Sequence, residues 1–317
     1  MSFYAPPTDI FARVWVDLPA RLGWTRRMNP LVEKFVGKPA HSFLEGPSFD
    51  TDGNLYVVNF AFGEIIRITP EGEPSVICTY DGAPNGLQVG PDGMIYVSDR
   101  LRGIMRLDTS SGRIELLCGP ERSPVGFVGP SDIAIAGNGD IYFTDQGDSH
   151  LLEPTGRAFR FSASGKLDLL MEGLPGPNGI TLDPTENYLF VALTYGPAVW
   201  RGRIRPDGAI DKVGVFQTLP GGYSGTDGLA MDEKGGLAAC HNRLGTVWLF
   251  DPDGAPVYRV RSPADAGRKI TNVAYGGPGN AQLFMTEAES GKILIADAPV
   301  PGLVLPGQRR KATTVRA

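Results

Sequence analysis

The sequence predicts an all-β fold, a six-bladed β-propeller whose sixth blade is closed by an N-terminal strand. A polar or glycine-bearing turn followed by a short apolar run returns six times, at Asp52-Gly53, Asp92-Gly93, Asn138-Gly139, Glu186-Asn187, Gly235-Gly236 and Pro278-Gly279. The spacing is roughly 40 to 48 residues, the length of a four-stranded blade. Within each repeat, runs such as NLYVVNF and EIIRITP are separated by Gly, Asp, Pro and Ser, the punctuation of antiparallel strands.

The repeats span residues 47–82, 84–119, 129–173, 176–221, 225–263 and 269–298. The sixth holds three strand-like runs, NVAYGG, AQLFMTEA and KILIADA, and no fourth before the proline-rich residues 299–306. Residues 31–37 (LVEKFVG) resemble the outer runs RIELLCG and KLDLLMEG, so they are expected to complete the sixth blade. Closure of this kind removes an exposed sheet edge. Three parts follow: an N-terminal extension (1–30) packed on the ring, the propeller (31–298) and a tail (299–317). Within the extension, residues 10–22 (IFARVWVDLPARL) are expected to pack on the core, given Pro19 and nearby Trp15 and Trp24.

Composition narrows the function. The chain has 317 residues, 42% hydrophobic and 21% charged, enough for a large core. Its 42 glycines and 27 prolines are dispersed, as many tight turns require. A net charge of −5 argues against a nucleic-acid surface, which needs a concentrated basic face. The only basic cluster in sequence is the tail, Arg309, Arg310, Lys311 and Arg316, read as a solvated end. No apolar stretch of about 18 residues suggests a membrane span, and the start lacks a secretory pattern, so a cytoplasmic protein is expected, a monomer or small homo-oligomer. Cys78, Cys118 and Cys240 lie apart in apolar runs and read as buried thiols rather than disulfides or a metal site.

In a propeller the innermost strands line the axis, and the residues at their starts, with the loops joining second and third strands, form one mouth. At those starts stand Glu45-Gly46, Asn85-Gly86, Ser131-Asp132, Asn178-Gly179, Asp227-Gly228 and Thr271-Asn272. Oxygen-bearing side chains converging on one axis suit a hard cation such as Ca²⁺, whereas zinc would call for His or Cys, and His41, His150 and His241 have no metal-type spacing. The alternative is that Asn-Gly and Asp-Gly merely form turns before strands. That explains any single position, but six polar residues recurring in register, Glu45 among them, strain it.

With its ordered segments EGP at residues 45–47, SDIAIAGNGDIYFTD at 131–145, GPNGITLDPTENYLFVA at 176–192, TDGLAMDEKGGLAAC at 226–240 and TNVAYGG at 271–277, the chain resembles the senescence marker protein, gluconolactonase and luciferin-regenerating enzyme family of six-bladed propellers. The resemblance runs from about residue 43 to 296. It implies a divalent metal, Ca²⁺ in the first place, held by Glu45, Asn178 and Asp227, and a lactone or related ester as substrate; Mn²⁺ or Zn²⁺ stay open because a relaxed oxygen site accepts several ions. Where the family commonly has Asn then Asp in the third blade, this chain has Ser131-Asp132.

The expected activity is therefore metal-dependent opening of a lactone, a carboxylic ester hydrolysis. The metal would polarise the carbonyl and Asp227 would act as general base or, in a second route the sequence leaves open, attack directly to give a covalent intermediate. Expected substrate contacts are Asn85, Ser131, Asp132 and Asn272 at the strand starts, and Phe60, Arg100, Tyr195 and His241 on the mouth loops. His150 and His241 rank below Asp227 as bases. Two alternatives remain at this level: a related propeller hydrolase acting on phosphorus esters, and a non-catalytic interaction scaffold.

Overall fold

The computed structural model describes residues 4–222 and 224–309. Arg310, Lys311 and Arg316 of the basic tail lie outside the described residues. The ring has six blades, each running outward strand by strand from the axis, as in the first: Leu44–Phe49, Leu55–Asn59, Glu64–Ile68 and Pro74–Thr79. The other innermost strands are Pro84–Val89, Pro130–Ile135, Pro177–Leu182, Thr226–Met231 and Ile270–Gly276. Each packs on the next, and the last on the first. The core lies between blades: Val58 and Ile65 meet Val97 and Met105, and Tyr142 and Ala158 meet Leu182 and Val191.

An N-terminal strand does close the sixth blade, but it is not residues 31–37. The chain begins with β1 (Thr8–Phe11) and β2 (Arg13–Asp17), followed by two short helices, α1 (Leu18–Leu22) and α2 (Pro30–Phe35). Antiparallel β2 pairs with Lys292–Asp297, setting Val14 opposite Leu294 and burying Val16. Parallel β1 adds a fifth strand to blade five, with Ile10 opposite Val260 and Asp9 bridging Arg259 at 2.7 Å.

Residues 31–37 were expected to be a strand and instead contribute to α2, for local reasons. Asn29 caps the helix by accepting from the Val32 amide at 2.8 Å, and Pro30 occupies the first turn. Leu31, Val32, Phe35 and Val36 recur at one and four residues, which a helix can place on one face and an alternating strand cannot. That face packs on Phe60, Ala61 and Ala83, so α2 lies over the first two blades.

The described part of the tail is tied down rather than frayed. The Leu303 amide donates to the Met231 carbonyl at 2.9 Å, Gly302 to Asn280 at 2.8 Å, and Gly307 abuts Val89, so residues 302–307 cross the end of the channel opposite α2. Above them a cavity of about 80 Å³ remains in the channel, reaching up to Asp132 and Asn272. Arg309 itself is exposed. Cys118 and Cys240 are buried, Cys78 partly so, and all three are free thiols. Among the described residues no helix is long and apolar enough to cross a membrane.

Candidate metal centre and mouth

The six polar positions do not sit in turns. They lie inside the innermost strands, and each of these strands shifts register against its neighbour at that point, as between Pro84 and Leu87, Pro177 and Ile180, or Thr226 and Leu229. A bulge of this kind re-aims a side chain, here toward the axis. The glycine that follows is needed for close approach, not for a turn. A Cβ on Gly46 would lie 2.6 Å from the Asn85 carbonyl, and one on Gly179 would lie 2.8 Å from the Leu229 amide, both on the next blade. Of the four such glycines, 46, 86, 179 and 228, only Gly46 has positive φ.

The polar residues form two levels. In the upper one Asn85 donates to the Ser131 hydroxyl at 3.4 Å, Ser131 donates to Asn178 Oδ1 at 3.1 Å, and Asn178 donates to Thr194 Oγ1 at 3.3 Å. Glu45 and Asp227 complete this level, 4% and 2% exposed. In the lower level, Asp132 and Asn272 occupy the position that is glycine in the other four blades. They meet across the axis, Asn272 Nδ2 donating to Asp132 Oδ2 at 3.2 Å. Thr271 turns away from the axis and bonds the Leu44 carbonyl at 2.7 Å.

Three buried carboxyls thus share one axis. Burial pushes Glu45 well above its ordinary range, and the charges of Asp227 and Asp132 push it further. Burial raises Asp227 to about 7, against the pull of the Asn242 amide and the Lys269 ammonium, and raises Asp132 to about 6. Asn242 donates to Asp227 Oδ2, while Asp227 Oδ1 is buried with no hydrogen-bond partner.

No group of three or more His, Cys, Asp and Glu side chains among the described residues is arranged to hold a metal ion. A cation here would draw on amide and hydroxyl oxygens as well as carboxylates. That donor set suits a hard ion: Glu45, Asn178, Asp227 and Ser131 offer only oxygens toward it once the amide is oriented, and a partnerless buried Asp227 oxygen lacks the positive charge that would make its burial tolerable.

The mouth residues divide. Asn85, Ser131, Asp132 and Asn272 are on the axis with the carboxyls. Tyr195 is 49% exposed on the rim and packs over Gly176. Phe60 is not a mouth wall: it is 1% exposed, held edge-on by Phe35 and Phe43 beneath α2. Arg100 is committed to Asp148 at 2.9 Å and stacks near the Phe35 ring, so it fastens α2 to the ring.

His241 is 1% exposed, accepts from Trp248 Nε1 at 3.3 Å through Nδ1, and has Nε2 3.1 Å from the Gly221 carbonyl. Both nitrogens are occupied, and burial lowers its pKa, keeping it neutral. It occupies the strand position that Asp99, Asp145 and Glu287 hold in other blades. Those acids tie loops down, Asp99 by accepting from the Ala83, Leu101 and Arg102 amides. The His150 ring accepts from the Leu152 amide within its own turn.

Two further residues stand at the centre, Asn242 on a mouth loop expected from register and Lys269, which was not a sequence candidate. Asn242 orients Asp227, and Lys269, whose pKa is lowered to about 8 by burial, feels the charges of Asp227 and Glu45 while its Nζ lies 3.8 Å over the Phe43 ring. Their signal was position: Asn242 follows the second strand of blade five, and Lys269 immediately precedes the innermost strand of blade six.

A closed six-bladed ring with an oxygen-lined axial site defines a class of propeller, and the sequence places the chain within it. Residues 43–289 match the sequence model described as SMP-30/Gluconolactonase/LRE-like region, and the chain belongs to that family. Among its relatives, a gluconolactonase of Zymomonas mobilis is 27% identical over 278 residues, 78% of this chain and 76% of the relative. A diisopropyl-fluorophosphatase of Loligo vulgaris is 26% identical over 294 residues, 83% and 92% of the two chains. The crystal structure of regucalcin from Agrobacterium tumefaciens, described as a calcium-binding protein, superposes with a TM-score of 0.76 at 20% identity, covering 96% of this chain and all of that one, a likeness of fold.

Proposed function

We propose that the protein is a metal-dependent lactonase, hydrolysing a cyclic carboxylic ester at the mouth of the channel. The observation that carries this reading is the pairing of Asp227 and Glu45 on the axis, with Asp227 Oδ1 buried and unpartnered while Oδ2 is fixed by Asn242. Relatives named gluconolactonase, and pentonolactonase in Haloferax volcanii, support the reaction class. A divalent cation, with Ca²⁺ first, would be held by Glu45, Asn178 and Asp227, and when bound would supply Lewis-acid polarisation of the lactone carbonyl.

The chain's own residues account for the rest. Asp227 takes a proton from a water while Asn242, bonded to Oδ2, holds the carboxylate still. The water oxygen bonds to the carbonyl carbon, the ring C–O bond breaks, and the proton passes from Asp227 to the departing ring oxygen, giving the hydroxy acid. Asn85, Ser131 and Asn178 form a chain of hydrogen-bonding groups beside the carboxyls, able to bind hydroxyls of the substrate. The tail closes the far end of the channel, so substrate enters and product leaves on the α2 side.

The test is metal content of the purified protein together with lactone hydrolysis before and after chelation and Ca²⁺ restoration. Bound metal, with activity lost and regained, supports the reading; metal-free protein hydrolysing lactones at full rate overturns its metal part. The relative named diisopropyl-fluorophosphatase motivates a second reading, phosphotriester hydrolysis at the same site. A panel of aliphatic, sugar and aromatic lactones against a phosphotriester decides between them.

A further inference from the structure

Beside the axial carboxyls lies a second concavity of about 500 Å³, between the segment carrying α2 and blades five and six. Its charged lining is Arg26, Lys38, Arg243, Arg268, Lys269 and a single acid, Glu289. That acid is already engaged, since Oε2 accepts from the Arg268 amide at 3.1 Å. Among the described residues none of the five cations forms an ion pair. Elsewhere some arginines on strands do pair, as Arg203 with Asp211 and Arg259 with Asp9. In a chain of net charge −5, five cations outside any ion pair against one lining acid leave the hollow with an excess of positive charge. Guanidinium groups present planar donor forks matched to carboxylate and phosphate.

The hollow also adjoins the axial site. Arg243 follows Asn242, the residue that orients Asp227, and is held at φ +64°, a left-handed turn that a non-glycine residue rarely adopts. Lys269 lines the hollow and interacts electrostatically with Asp227 and Glu45. Phe35, Val36 and Pro39 give the hollow an apolar wall contributed by the N-terminal segment rather than by the ring.

We infer that this hollow binds an anionic group of the substrate, so that the preferred substrate is a lactone carrying a carboxylate or phosphate rather than a neutral one. This rests on the lactonase reading. The lactone carbonyl would face the Glu45 and Asp227 end, with the anion between Arg243 and Lys38.

The experiment compares kcat and KM for three sugar lactones, one neutral, one carrying a carboxylate and one carrying a phosphate, with wild type, Arg243→Gln and Lys38→Gln. An anionic lactone is expected to exceed the neutral one at least tenfold in kcat/KM. Arg243→Gln should raise KM for that lactone about ten- to a hundredfold, the worth of a charge-assisted hydrogen bond, with kcat and the neutral lactone changed less than about twofold. The carboxylate and phosphate arms show which anion is the better fit. Independently of turnover, calorimetry measures binding of an open-chain sugar dicarboxylate to the metal-loaded protein, which Arg243→Gln should weaken. Dicarboxylate binding lost in Arg243→Gln, without hydrolysis of any lactone, would uphold the anion site and overturn the lactonase reading. Efficient hydrolysis of the neutral lactone, with anionic lactones no better and Arg243→Gln without effect on dicarboxylate binding, would overturn the inference and leave the lactonase reading standing.

Discussion

At the residue scale, the same dipeptides serve two purposes, and only packing tells them apart. Asn138-Gly139 turns the chain, with Gly139 at φ +88°, whereas Asn178-Gly179 lies within a strand and Gly179 gives way to the neighbouring blade. Gly179→Ala is therefore expected to destabilise by about 1–3 kcal/mol through overpacking, although its backbone is ordinary for alanine. Urea unfolding checks this, and an unchanged midpoint would refute the crowding. Asp227→Asn should lower kcat by about 10²–10⁴-fold, the range for loss of general-base function, and Glu45→Gln should lower kcat through the cation it would help hold, both with the far-ultraviolet circular dichroism unchanged. Near wild-type rates in either, with metal bound, would remove the assigned role. The axial set was readable in sequence because it recurs in blade register. The split into two levels was not, since Asp132 and Asn272 are offset by one residue and only the bulges show where each side chain points.

At the element scale, the strands were legible from their punctuation and the closing segment was not. Residues 31–37 match the composition of outer strands, yet the Asn29-Pro30 cap and the apolar spacing favour a helix, and RVWVD, the true closing strand, is shorter than the other outer runs. Val16→Asp would place an unpaired charge in that closure and is expected to cost at least about 3 kcal/mol, read as a lowered urea midpoint or loss of soluble protein. The second strands held another unread message. Thr144 accepts from the Asp132 amide and donates to the Asn178 carbonyl at 2.6 Å, and Thr194 donates to the Thr226 carbonyl at 2.8 Å, so buried hydroxyls tie the bulges of blades three and four to the next blade. The recurring TD and TE pairs are thus structural, although their place at the mouth invites a functional reading.

The helix α2 is fastened electrostatically as well as by its apolar face. Asp148 accepts from Lys34 at 2.8 Å and Arg100 at 2.9 Å, and the Lys34 hydrogen bond is the leading cause of its lowered pKa. A depressed carboxylate pKa adds stability above the unfolded value, near 4, and loses it as pH falls through the folded value. Because Asp148 is mostly exposed, Asp148→Asn should cost no more than about 1 kcal/mol at pH 7, and the gap to wild type should narrow below pH 4. A gap independent of pH would show that the pair does not anchor α2.

At the scale of the whole molecule, the axial carboxyls make the ring a linkage device. A cation that binds the folded ring and not the open chain stabilises by about 2.7 kcal/mol at a hundredfold excess over its dissociation constant. Chelation is therefore expected to lower the melting temperature, and Ca²⁺ to restore it, in proportion to the logarithm of free metal. Asp227→Asn should flatten that dependence, whereas a melting temperature indifferent to chelation in wild type would argue against an axial cation.

The closing strand also orders events in time. Asp9 of β1 meets Arg259 across 250 residues of chain, and β2 pairs later still in sequence. At a synthesis rate of about 5–20 residues per second, these first strands emerge from the ribosome roughly 10–50 s before their partners exist. Blades one to four can assemble as neighbours while the N-terminal segment waits unpaired, so the ring is sealed last by the part of the chain made first. The hollow between the α2 segment and blades five and six is likewise incomplete until that moment, and a nascent or truncated chain lacking the final blades would carry neither a closed axis nor an anion site.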